Sequence, residues 1–128
     1  MNFEDEKDYI MRIIKETVRL LFSLMLGKNY VSVEQEIQNK YEVSGRTLND
    51  LLSMADDGKI NEAENIILDG IDYSNKNEVV VAALFYQHLS EMEEKFLEQN
   101  NFSEEEVLEG IKQVVEEAGY GDLTGIVE

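Results

Sequence analysis

Three residue types are missing from this chain of 128 residues, which has no cysteine, no proline and no tryptophan. Without cysteine there is no disulfide framework, no thiolate metal site and no cysteine nucleophile. Chains contain on average about 5% proline, and proline is the strongest helix breaker. Its absence favours an all-α fold.

Cationic side chains are scarce. Lysine and arginine number 11 against 28 aspartates and glutamates, which gives a formal net charge of −17. The first 30 residues hold five basic and five acidic side chains, so residues 31–128 carry the whole excess. This negative charge repels the phosphate backbone of nucleic acid and argues against nucleic acid as a partner. It fits either a basic protein partner or simply solvated helix faces.

Long hydrophobic runs are also missing. The longest, Leu20 to Leu26, is interrupted by Ser23 and falls far short of the ~20 residues that a membrane-spanning helix needs. The opening stretch, MNFEDEKD, is acidic, whereas a secretory signal begins with basic residues. These features predict a cytoplasmic protein with no membrane partner.

A helical periodicity runs through most of the chain. Apolar residues recur at intervals of three and four, which predicts five to six helices in an antiparallel helical bundle. We expect one domain over residues 1–128, with an irregular tail over 119–128. The predicted helices cover, approximately, residues 3–26, 30–41, 44–56, 61–70, 76–99 and 103–118. The alternation of apolar and polar residues from Tyr30 to Val33 leaves a strand as the alternative there. We expect Ser44 to cap the third helix, and Asn61 with Glu64 to form a capping box at the fourth.

The first helix has apolar side chains around more than half of its circumference. A single neighbouring helix does not cover an arc that wide. The helix therefore either lies at the centre of the domain or pairs with its own copy in a homodimer. The candidate interface residues are Ile10, Ile13, Ile14, Leu20, Leu21, Leu24 and Met25.

The stretch DDGKINEAE, residues 56–64, has two interpretations. Gly58 fits position 6 of an EF-hand calcium loop, but the residues at positions 1 and 3 would be Ser53 and Ala55, which lack carboxylates. The alternative is an elbow between two helices, in which Gly58 permits the left-handed conformation that ends a helix. The elbow accounts for more residues. If the stretch bound calcium, the ligands would include Asp57, Asn61 and Glu64.

Two resemblances accompany these patterns. The elbow resembles the inter-helix turn of a tetratricopeptide repeat in the pattern Gly58-Lys-Ile60-Asn-Glu62-Ala63, but no second copy follows at the repeat length of about 34 residues. The whole chain is similar to a family of small acidic helical proteins from Gram-positive bacteria, a domain of unknown function. The matching segments are MNFEDEKDYIMRIIKETVRLLFSLMLGK, KYEVSGRTLNDL, DGKINEAEN and AGYGDL. This resemblance implies a helical fold and supplies no activity, ligand or catalytic residue.

Recognisable catalytic patterns are missing. His88 is the single histidine, and the sequence offers it no titratable partner. Phosphate-loop, zinc and di-iron patterns are absent, and no carboxylate pair is marked as buried. We therefore expect no catalytic residue, no cofactor and no metal, and interpret the chain as a non-catalytic helical protein-interaction module. Calcium sensing, or an enzyme with an unrecognised carboxylate site, are the alternatives.

Overall fold

The computed structural model of the protein describes residues 3–26 and 42–123, which contain six helices and one two-stranded antiparallel sheet. The predicted all-α class is confirmed. The helix predicted over residues 30–41 and the end of the tail, 124–128, lie outside the described residues. The elements are α1 (Phe3–Leu26), β1 (Glu42–Val43), β2 (Arg46–Thr47), α2 (Leu48–Asp56), α3 (Ile60–Gly70), α4 (Lys76–Ser90), α5 (Glu94–Gln99) and α6 (Glu104–Glu117). No helix in these ranges combines the length and the apolar character that crossing a bilayer requires.

Helix α4 forms the centre of the described fold. Every residue from Val79 to Gln87 is buried, and the helix contacts α1, α2, α6 and β1. A helix that is apolar all round must be covered on every side. The wide apolar arc of α1 allowed it this central position, but α1 packs on α4 and α6 by one face and exposes Arg12, Lys15 and Arg19 on the other.

The single long helix predicted over residues 76–99 is in fact two helices, because α4 ends at Ser90. The Ser90 hydroxyl donates to the carbonyl of Gln87, a local bond that competes with continuation of the helix. Lys7 Nζ of α1 donates to the carbonyl of Met92 at 2.9 Å, which satisfies a backbone group in the connection. No glycine or proline marks this break, so the helical periodicity runs across it.

Thr47, rather than Ser44, caps helix α2. Ser44 and Gly45 form the tight turn between β1 and β2, with φ angles of 55° and 78°. Thr47 accepts a hydrogen bond from the N–H of Asp50, and the Asp50 carboxylate accepts one from the N–H of Thr47. The predicted cap is wrong because a two-residue hairpin requires positive φ at both turn positions, which takes Ser44 away from the helix.

The connection between α2 and α3 is an elbow, as the second interpretation of DDGKINEAE predicted. Gly58 has a φ of 90°, and a Cβ built on it would lie 2.6 Å from Asn100 Oδ1. The predicted capping box is wrong, because α3 begins at Ile60 and has no side-chain cap. Asn61 Nδ2 instead donates to the carbonyls of Asn100 and Asn101, each at 3.2 Å. Asn61 therefore joins this elbow to the one that connects α5 and α6.

Candidate interaction groove

Tyr86 links the central helix to α3. Its side chain is buried in α4, and its hydroxyl donates a hydrogen bond to Glu64 Oε2 at 2.7 Å. An unpaired hydroxyl inside a protein is costly, so a buried tyrosine normally has such an acceptor. The bond spans 22 positions of the chain. It fixes the half-buried carboxylate of Glu64 at the outer edge of the core.

A glycine in α6 makes room for the Tyr86 ring. A Cβ built on Gly110 would lie 2.2 Å from Tyr86 Cε1, well inside van der Waals contact. The aromatic ring therefore lies directly against the backbone of α6. Glycine in the interior of a helix costs about 1 kcal/mol relative to alanine, so a packing reason is expected for it. Three helices, α3, α4 and α6, thus meet at Tyr86.

Burial shifts the ionisation of both members of this pair. It raises the pKa of the Glu64 carboxyl; the charge of Glu106 raises it further, and the hydrogen bond from Tyr86 opposes both effects. Burial is also the main reason that the pKa of Tyr86 is raised, with the Glu64 charge and hydrogen bond adding to it. Tyr86 therefore stays a hydroxyl donor at neutral pH, and burial deprives the Glu64 carboxyl group of full hydration.

A shallow groove opens above this pair, between α3 and α6. Its first depression has a volume of roughly 340 Å³. Leu68 and the buried Phe102 give it an apolar floor. We name it the α6 groove; its principal lining residues are Glu64, Leu68, Phe102, Glu105, Glu106 and Glu109. Gly110 and Gln113 also line it, so the groove lies directly over the Tyr86–Gly110 contact.

The groove continues along α6 into a second depression of roughly 520 Å³. The two depressions share Glu109 and Gln113, and the second adds Glu116, Asp122 and Lys112. Among the described residues that line the groove, six are acidic and Lys112 is the one basic side chain. An elongated surface with an apolar floor and acidic sides is suited to binding a cationic ligand that also carries apolar groups.

The three residues that would bind calcium in the EF-hand interpretation have separate roles in the structure. Asn61 donates to the backbone of the α5–α6 elbow, whereas Glu64 accepts from Tyr86. Asp57 lies at the C-terminal end of α2 and is exposed. Within residues 3–26 and 42–123 there is no group of three or more histidine, cysteine, aspartate or glutamate side chains placed to hold a metal ion.

His88 has a titratable partner, contrary to the sequence analysis. Its Nε2 lies 2.7 Å from Asp56 Oδ1, so the pair ties the end of α4 to the end of α2. A depression of roughly 300 Å³ lies beside it, lined by Asp56, Met92, Glu93 and Phe96. The partner was missed because it lies 32 positions away and only the packing of α2 on α4 brings it near.

The candidate interface residues of α1 differ in how far they are buried. Five of the seven are buried within the chain. Leu20 is half-buried, and Leu24 is 59% exposed. The residues that remain available for a second copy are therefore Leu24 and part of Leu20, and the homodimer stays a prediction. The five buried residues are Ile10, Ile13, Ile14, Leu21 and Met25.

Comparison with known protein families identifies a match to this chain. The model of a family described as being of unknown function, DUF6483, matches residues 4–119, which include every residue named above as lining the first depression of the α6 groove. No curated protein matches the chain, and no solved structure matches it.

Proposed function

This chain belongs to DUF6483, a family of unknown function, and we propose that it acts in the cytoplasm as a non-catalytic interaction module that binds a protein partner in the α6 groove. The observation that carries the proposal is the acidic wall of this groove around an apolar floor. Glu105, Glu106 and Glu109 are exposed beside the buried Phe102. Interfaces combine an apolar centre with a polar rim in this way.

The ionisation of the groove favours binding over catalysis. General acid–base catalysis needs two titratable groups beside the reacting atoms. Their environments must shift their two pKa values apart. The rim carboxylates are exposed to solvent. Glu64 has a raised pKa, but it serves as the acceptor for the buried Tyr86 hydroxyl. Its role in the proposal is to fix the wall of the groove.

Photo-crosslinking in the native cell tests the proposed function. A benzoylphenylalanine residue replaces Gln113, which is exposed and lines both depressions of the groove. The matched control carries it at Glu98, an exposed position on α5 that does not line the groove. We expect a discrete cross-linked protein from position 113 and a much weaker one from position 98. If neither position yields a cross-linked protein, the proposed function fails.

The His88–Asp56 pair favours a second candidate, an acid–base enzyme. A carboxylate that binds one imidazole nitrogen orients the ring, as in many catalytic sites. The adjacent depression of roughly 300 Å³ would hold a small substrate. The test is hydrolysis of a panel of chromogenic esters, phosphoesters and glycosides. An activity that His88→Ala removes and Gln113→Ala preserves would replace the binding proposal with this one.

A further inference from the structure

Resting on the proposed function, we infer that the occupant of the α6 groove is an amphipathic helix of a partner protein, with one stripe of arginine or lysine residues beside a row of leucine-like apolar residues. Three features of the groove favour this occupant: the sign of its charge, the spacing of the carboxylates along α6, and the environment of Glu64.

The charge of the groove selects a cationic partner and disfavours contact with the same groove of a second copy. Six carboxylates and one lysine line its two depressions. Residues 31–128 carry the whole net charge of −17, so the groove of another copy would bring like charge to the same surface. Like-charge juxtaposition across an interface is strongly unfavourable. Nucleic acid is disfavoured for the same reason, because its backbone is an anion.

The spacing of the carboxylates suits a helix lying along α6. Glu105, Glu109 and Glu116 follow one another at intervals of four and seven residues and lie on one face of α6. With a rise of 1.5 Å per residue, these intervals correspond to about 6 and 10 Å along the axis. A partner helix has the same rise, so cationic residues three and four apart on it would come opposite these carboxylates. Its apolar row would then reach Leu68 and Phe102 in the floor.

Glu64 is the residue of the groove that favours an arginine guanidinium group in the partner. Its carboxylate is half-buried, and one of its oxygens accepts a hydrogen bond from the Tyr86 hydroxyl. An ionised carboxylate can accept several hydrogen bonds, and an arginine fork donates two in parallel. Glu106 is close enough for its charge to raise the pKa of Glu64. A cation between these two side chains would therefore relieve a repulsion that the unbound protein carries.

Binding of a designed peptide tests the inference. The probe is a helical peptide of about 18 residues made of leucine and arginine, with arginine on one face. A control peptide has the same composition in scrambled order. Affinity is measured by fluorescence anisotropy at about 0.15 M salt, so that long-range attraction to the net charge is screened. The protein variants are Glu106→Gln/Glu109→Gln in the groove and Glu93→Gln/Glu98→Gln at exposed positions outside it, which remove equal charge.

We expect the groove variant to weaken binding by about tenfold and the control variant by less than about threefold. We also expect the scrambled peptide to bind more weakly than the patterned one. Equal weakening by the two variants, or equal binding of the two peptides, would overturn the inference. Such a result would leave the proposed function intact if position 113 still cross-links to a protein in the cell. Loss of that cross-link would remove the proposed function itself.

Discussion

The Tyr86 hydroxyl donates to Glu64 across 2.7 Å, and the ring that carries this hydroxyl lies where a side chain on Gly110 would otherwise be. One aromatic residue of the buried core thus sets both the approach of α6 and the position of a carboxylate in the α6 groove. Packing and the candidate site are therefore coupled, and substitutions at these residues should show it.

Gly110→Ala should destabilise the protein. At an exposed position in a helix interior, replacing glycine with alanine raises the free energy of unfolding by up to about 1 kcal/mol. Here the new Cβ would lie 2.2 Å from the buried Tyr86 ring, so α6 would have to move. We expect the free energy of unfolding to fall by about 1–3 kcal/mol, as for other overpacked cores. Urea unfolding would measure the change.

The control for this substitution is Gln113→Ala, on the exposed side of the same helix. We expect it to change the free energy of unfolding by less than about 0.5 kcal/mol. A Gly110→Ala protein that is as stable as the wild type would show that Tyr86 does not lie against α6.

Stability should depend on pH through Glu64. Its pKa in the folded state is raised above the ordinary value of 4.5. The folded state therefore holds the proton more tightly than the unfolded state, and this stabilisation is complete below the ordinary pKa and lost as the pH rises through the raised one. Glu64→Gln keeps an acceptor for Tyr86 and removes the charge. We expect the variant to be more stable than the wild type at neutral pH, with the difference shrinking towards pH 4.5.

Denaturant unfolding at a series of pH values would measure this difference. Glu62→Gln is the matched control, because it removes the same charge from an exposed position on the same helix. If both variants have the same pH dependence, the effect comes from the overall charge and not from the burial of Glu64.

Asn61→Ala should loosen the contact between the two elbows. The Asn61 amide donates to two backbone carbonyls of the α5–α6 elbow. Loss of these exposed bonds should lower the free energy of unfolding by about 1 kcal/mol. Asn65→Ala, at an exposed position on the same helix, should be nearly neutral. Differential scanning calorimetry would compare the two, and equal melting temperatures would contradict the assigned role.

Any association of two copies through α1 should depend on Leu24. Of the large apolar residues between positions 7 and 25 of α1, where burial is described, Leu24 is the most exposed, whereas Leu21 is fully buried. We predict that Leu24→Asp remains folded and converts a dimer to a monomer of 14.7 kDa, and that Leu21→Asp unfolds the chain. Light scattering at tens of micromolar with circular dichroism would test both. A wild-type mass of 14.7 kDa would rule out the dimer.

Local patterns predicted much of this fold. The positive φ of Gly58 and the buried stripe of α6 both follow from signals within a few residues, namely a glycine between two periodic segments and apolar residues three and four apart. The N-terminal cap of α6 also depends on residues only three positions apart, because Ser103 accepts a hydrogen bond from the N–H of Glu106.

The features that the sequence did not reveal depend on distant side chains. Tyr86 and Glu64 are 22 positions apart, and His88 and Asp56 are 32 apart. No local pattern pairs them, because tertiary packing decides which side chains meet. The clearest missed signal was Gly110, a glycine inside a strongly helical segment, which in general indicates close approach of another group. Ser90 is a harder case, because serine is common both within helices and at their ends.

The central claim is that a basic helix binds in the α6 groove, and chemical-shift mapping by nuclear magnetic resonance tests it most directly. The patterned leucine–arginine peptide would be titrated into isotope-labelled protein at about 0.15 M salt. The account predicts the largest amide shifts at the groove residues Glu64, Leu68, Phe102, Glu109 and Gln113, with little change at Glu93 and Glu98. Shifts spread evenly over the acidic surface, or centred beside His88 and Asp56, would contradict it.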